Sequence, residues 1–294
     1  MRVLPTMTVM RKHFRIVVLL AATTLLVSCH QGVLDPRGPV GVSERLMLYD
    51  ATVIMLAVII PVILLTLLFA WWFRAGNRHA RYLPDWEYSG RIEVIVWAIP
   101  ALVILFLGGI AWVGSHELDP PRALRTDAQP LQVQVVSLDW QWLFIYPGEH
   151  IASLNHLVVP TGVPLRFSLT SNSVMNSFFI PQLGSQIYTM AGMTTHLNLQ
   201  ADARGTYRGL SAQFSGEGFA DMRFDVDAVS AADYQAWVGR VRTRSGVLDA
   251  PAFARLARPA RATGTATFAE VASGLFDAIV AGRLRESPPS LARQ

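Results

Sequence analysis

Two runs decide how this chain folds and what it can hold: Val174–Gln186, VMNSFFIPQLGSQ, and Ser211–Met222, SAQFSGEGFADM. They have the spacing of a copper site but almost none of its ligands. Copper takes soft thiolate and thioether donors together with imidazole, gathered where strand ends and a loop converge. The positions that would serve are Asn176 and, 35 positions on, Ser211, Ser215, Phe219 and Met222. Only Met222 offers a soft donor. A serine hydroxyl is a hard, weak ligand, and a phenyl ring is none. The pattern reads as the shell of a redox site that cannot hold its metal.

Outward from these runs, apolar residues alternate with polar ones. Leu131, Val133 and Val135 form one such row, and Leu165, Phe167 and Leu169 another. Leu197 and Leu199, then Met222, Phe224 and Val226, continue it. YPGE, PTGVP and ARGT supply the turns between. Short strands at this spacing predict a β-sandwich or barrel.

The N-terminal side is of another kind. Arg11, Lys12 and Arg15 precede the apolar run Ile16–Val27, which is too short for a span and fits a signal-peptide core. It ends in LVSC, so Cys29 is expected to be acylated after cleavage of a lipoprotein leader over 1–28. A Gly- and Pro-containing linker is expected over 30–42. Ser43 reads as a helix cap with Glu44 in the first turn. Ala51–Phe73 carries no charge and exceeds the ~20 residues a span needs. Pro61 should kink it. A second span follows over Val94–Val113. Arg74, Arg78, Arg81 and Arg91 lie between the two, which predicts a cytoplasmic loop and both termini outside.

Composition agrees. Of 294 residues 52% are hydrophobic and only 16% charged, against about 25% charged in a typical soluble domain. A single cysteine excludes an internal disulfide framework and any cysteine-based zinc site. The net charge of +4 is scattered, with no stripe for nucleic acid. After Ser230 the period changes. Ala231–Val241 reads as a helix with Tyr234, Trp237 and Val238 on one face. Pro251–Leu256 and Phe268–Val280 read as short amphipathic pieces, and the last segment, RESPPSLARQ, as disordered.

The words SNSVMNSFFIP, LGSQIY, MAGM and FSGEGF resemble subunit II of the haem-copper respiratory oxidases, over roughly Ser43 to Arg240. In the cytochrome c oxidase branch, a His followed by C-x-x-x-C-x-x-x-H-x-x-M holds a dinuclear copper centre. With Asn176, Ser211, Ser215 and Phe219 at four of those positions, the chain is similar to the copper-free branch, the cytochrome bo-type ubiquinol oxidases.

The resemblance implies a cupredoxin fold from about Gln129 to Asp227. The architecture is then membrane α plus all-β. A two-helix transmembrane hairpin (29–115, helices about 47–73 and 92–114) leads to a cupredoxin-like sandwich (116–228) in the periplasm. A short helical C-terminal tail (229–294) follows. The chain would be subunit II of a proton-pumping ubiquinol oxidase of the bacterial inner membrane, with no redox cofactor of its own. Haems and a copper are expected in subunit I, which ubiquinol would reach through the membrane; this chain would support assembly and proton uptake. A copper-containing cytochrome c oxidase subunit is one alternative; no cysteine follows residue 29 to support it. A membrane-anchored cupredoxin-like binding or assembly protein is another.

Glu93 opens the second span, where a carboxylate is costly. The resemblance implies a place at the mouth of a proton-uptake channel; the plain alternative is a helix-start Glu favoured by the dipole and paired with Arg91. In DWQWLFIY, Trp140, Trp142, Phe144 and Tyr146 alternate and are expected to form a packed sheet face or a subunit interface. Gly216 and Gly218 are expected to supply turns. His116, His150, His156 and His196 lack metal-ligand spacing, and Met190 and Met193 read as packing residues.

Overall fold

The structure, a computed structural model, describes residues 32–284 apart from 82, 125, 127, 245 and 261–263. The leader, Cys29 and the final segment 285–294 lie outside the described residues. Helix α1 runs Pro39–Trp72 and helix α2 runs Gly90–Glu117. Both are long and apolar enough to cross a membrane, and their apolar windows are unburied within the chain. Leu64 and Ile104, for example, are 60% and 73% exposed. Such surface needs lipid or partner helices around it.

Helix α1 begins earlier than Ser43. Pro39 occupies the first turn, where its missing N–H costs nothing, and Gly38 stands at the cap. Ser43 is therefore not a cap. Its hydroxyl donates back to the Pro39 carbonyl at 3.1 Å. Residues 39–42, expected as linker, are helix, and they are wedged into the β-domain. The Arg37 and Gly41 N–H groups donate to the Gln182 and Leu183 carbonyls at 2.6 and 3.0 Å. Glu44 Oε1 accepts from the Ser185 N–H and hydroxyl at 2.8 and 2.7 Å. A Cβ on Gly38 would stand 2.0 Å from the Gln200 oxygen, and one on Gly184 2.8 Å from the Gly41 nitrogen. Glycine is needed at this joint because backbone meets backbone.

The soluble part is a two-sheet sandwich. One sheet holds β1 (Leu131–Ser137), β2 (Trp142–Tyr146), β3 (Ile151–Leu154), β5 (Pro164–Ser171), β8 (Thr195–Gln200) and β12 (Ala266–Phe268). Its order is β12-β3-β2-β1-β5-β8. The other, β4-β10-β9-β6-β7, holds β4 (His156–Pro160), β6 (Asn176–Ile180), β7 (Gly184–Thr189), β9 (Gly205–Ser211) and β10 (Arg223–Val229). The pairs β1–β5 and β4–β10 are parallel and the remaining pairs antiparallel, giving the mixed sheets of a cupredoxin-like Greek key. The expected rows at 133/135, 165/167/169, 197/199 and 224/226 all face the core between the sheets.

Strands β2 and β3 of the first sheet are buried on both sides. Trp142, Phe144 and Tyr146 point into the central core. Leu143 and Ile145 point outward, against Leu248, Phe253, Phe276 and Ile279 of the tail. Trp140 does not join this row. It lies before β2 with φ 67, a turn conformation rather than a strand one. Burial pushes the Tyr146 phenol far above the ordinary tyrosine range. Its hydroxyl donates to the Val158 carbonyl and accepts from the Val158 N–H, at 3.2 and 2.9 Å.

The tail contributes α3 (Ala231–Arg242), α4 (Ala250–Leu256) and α5 (Leu275–Val280). Ser230 caps α3 by accepting from the Asp233 N–H. Tyr234, Trp237, Val238 and Val241 are its buried face. The segment expected as one amphipathic piece over Phe268–Val280 divides differently. β12 ends at Phe268, Glu270–Val271 (β13) pairs with Val247–Leu248 (β11), and only then does α5 begin.

Candidate functional site

Asn176, Ser211, Ser215, Phe219 and Met222 converge at one end of the sandwich. Asn176 opens β6 and Ser211 closes β9, and the loop after β9 carries the other three. Asn176 and Ser211 are almost fully buried, and the Ser211 hydroxyl reaches the Asn176 side-chain oxygen at 3.1 Å. The Asn176 amide donates to the Val174 carbonyl at 3.2 Å. The Asn176 carbonyl accepts from Thr189, whose hydroxyl meets that of Ser137 at 2.8 Å. This chain of small polar groups satisfies what would otherwise be costly buried dipoles.

Met222 is buried in the core, and its sulfur lies 4.0 Å from the Ser215 hydroxyl. The Phe219 ring turns outward against Phe214, with centroids 5.6 Å apart. Two amide or hydroxyl groups, a further hydroxyl, a phenyl ring and one thioether do not fit a copper centre, which needs several soft or imidazole donors.

Trp140 completes the site. Its indole N–H donates to the Ser215 carbonyl at 3.1 Å and its ring lies over the glycine loop. Gly216 does supply a turn, at φ 109. Gly218 lies in the turn that the Phe219 N–H closes on the Gly216 carbonyl at 3.2 Å, but its φ of −89 does not call for glycine; what glycine gives there is room. A Cβ there would stand 2.3 Å from the Trp140 ring. Gly218→Ala is expected to lower domain stability by about 1–3 kcal/mol through overpacking. A thermal melt indistinguishable from the parent's would show that Trp140 is free to move away.

The histidines go separate ways. His116 Nδ1 bonds the Trp112 carbonyl at 2.8 Å, and His196 lies 3.4 Å from the Ser168 hydroxyl. His156 meets Asp227 at 2.8 Å across the β4–β10 pair, a partnership with no sequence signal at a separation of 71. Partial burial raises the Asp227 carboxyl, but donation from Thr206 and His156 outweighs it, so its pKa is lowered overall. A lowered folded pKa gives stability that is full above the unfolded value, about 3.9. That stability is lost as pH falls below it. Asp227→Asn is therefore expected to flatten the acid limb of a melt-versus-pH curve below about pH 4. An unchanged limb would remove Asp227 from acid sensitivity.

Glu93 sits in the first turn of α2, its N–H donating to the Ser89 carbonyl at 3.0 Å. Its side chain is exposed. It makes no ion pair with Arg91 among the described residues.

The family described as cytochrome c oxidase subunit II, periplasmic domain, matches residues 149–229. Hairpin, mixed two-sheet domain and this match define the class: a membrane-anchored oxidase subunit II with a periplasmic-type domain. Ubiquinol oxidase subunit 2 of Acetobacter aceti is 49% identical over 264 residues, 89% of this chain and 86% of that one. Cytochrome bo(3) ubiquinol oxidase subunit 2 of Pseudomonas aeruginosa is 46% identical over 261 residues, 89% of this chain and 79% of that one. The chain belongs to the ubiquinol oxidase subunit 2 family. Among solved structures, the periplasmic domain of subunit II of cytochrome oxidase (CoxB) of Bradyrhizobium japonicum gives a TM-score of 0.37 at 21% identity, over 40% of this chain and 96% of that one.

Proposed function

We propose that this chain is the subunit II of a proton-translocating ubiquinol oxidase and contributes no redox cofactor of its own. The observation that carries this is the donor set: Asn176 and Ser211 are spent on one another, Phe219 is turned outward, and Met222 is left as the one soft donor. Electrons from ubiquinol would enter at a partner, subunit I, which would hold the haems and a copper. A relay through the β-domain is then unnecessary. The chain's own work is to anchor and cap subunit I and to present Glu93 where protons enter from the cytoplasm. The β-domain lies in the periplasm and the hairpin in the bacterial inner membrane. A freely acting assembly protein has no comparable use for a second span bearing Glu93.

Oxygen consumption by the complex captured on this chain, with ubiquinol and with reduced cytochrome c as separate donors, tests the reading. Turnover with ubiquinol alone is expected. Turnover with cytochrome c would mean that electrons cross the β-domain after all.

The leader is proposed to be removed and Cys29 acylated. Cys29→Ser is expected to abolish acylation, read as a mass loss, and to leave the protein in the membrane fraction. An acyl chain adds only about 0.8 kcal/mol per buried CH₂, and the two spans dominate. Release into the soluble fraction would show that the spans do not hold it.

A further inference from the structure

The turn of the hairpin between α1 and α2 has a charge pattern that sets topology and is given no binding role by the oxidase function. Its first half carries Arg74, Arg78 and Arg81, all exposed and without a carboxylate partner among the described residues. The acids of the turn, Asp85 and Glu87, fall only in its second half. The Arg74 guanidinium sits 5.2 Å from the Trp71 ring centroid and spends one N–H on the Trp71 carbonyl at 3.0 Å. That fixes a cation beside the aromatic end of a span, with further N–H groups open. Trp86 and Tyr88, 59% and 74% exposed, lie on the second half of the same turn. Aromatic rings exposed at a span's end rest at the headgroup level. Rings at both ends of the turn, Trp71 and Trp72 before it and Trp86 and Tyr88 within its second half, would set it at the level of lipid phosphates.

We propose that this turn binds the phosphates of anionic phospholipids, with Arg74, Arg78 and Arg81 as the recognising groups. Planar guanidinium groups match phosphate oxygens in pairs of hydrogen bonds, and a net negative headgroup adds a charge term that a zwitterionic one lacks. The proposal rests on the hairpin crossing the bilayer. Carbonate extraction tests that separately, so the two failures are distinguishable.

The experiment places the purified complex in phosphatidylcholine nanodiscs with spin-labelled phosphatidylglycerol or spin-labelled phosphatidylcholine, and reads the immobilised fraction. The parent is expected to immobilise the anionic lipid several-fold more strongly. Each arginine contributes up to about fivefold. R74Q/R78Q/R81Q is expected to bring the two lipids level. Raising salt should do the same to the parent with no substitution, which guards against a variant that misfolds. Equal immobilisation of the two lipids by the parent would overturn the proposal, as happens if a partner's carboxylates already occupy the arginines. So would a preference that survives both the triple variant and high salt.

Discussion

A Phe178→Ala chain is expected to lose its β-domain roughly 10 °C below the parent. Phe178 is fully buried on β6 and touches aromatic rings from both sheets. It stacks on Phe224 at 5.2 Å and 11°, meets Trp142 edge-on at 5.3 Å, and tilts against Phe167 at 5.4 Å. Truncation to Ala leaves a cavity that four or more rigid neighbours cannot close, at about 3–5 kcal/mol. Phe214→Ala is the control: 73% exposed, it should change stability by less than about 0.5 kcal/mol. Thermal melts of the two variants that coincide would mean that the sheets do not share this core.

Glu93→Gln is expected to cut ubiquinol oxidase turnover on the order of tenfold, about 1.4 kcal/mol of barrier, with assembly unchanged. Gln keeps the size and hydrogen-bonding reach of Glu and removes only the exchangeable charge. At the first turn of α2 that charge is favoured by the helix dipole, so the position tolerates a carboxylate without a partner. Glu117→Gln, at the opposite end of the same helix, should leave turnover as it was. Equal turnover in Glu93→Gln and the parent, with haem content matched, would end the proton-entry role. Loss of haem-bearing partners in the variant would instead assign Glu93 to assembly.

The spans were legible because charge is absent from them, and charge is what a bilayer penalises. The strands were legible because residues 133–135, 165–169 and 197–199 alternate against water. What escaped were features set by tertiary contact. Ser43 looks like a cap, yet the helix starts at Pro39 because residues 37–44 are bonded to the β-domain. The outward faces of Leu143 and Ile145 were hidden by the aromatic alternation around them; only the tail's packing reveals them. Strands β11 and β13, two residues each, carry no period that a sequence could display. At the site the donor chemistry could be read from residue types alone. That the Asn176 oxygen meets Ser211, and that Gly218 serves as space for Trp140, needed coordinates.

The joint at Gly38, Gly41 and Gly184 has a mechanical consequence. At Gly38 and Gly184 the backbones of helix α1 and the sheet meet with no side chain between them, and Val40 and Glu44 lock the same turn, so the foot of the first span is a mast stepped into the sandwich rather than a tether. A lean of α1 on the β-domain side of Pro61 is then expected to swing the sandwich with it, while a kink at Pro61 takes up lean beyond it.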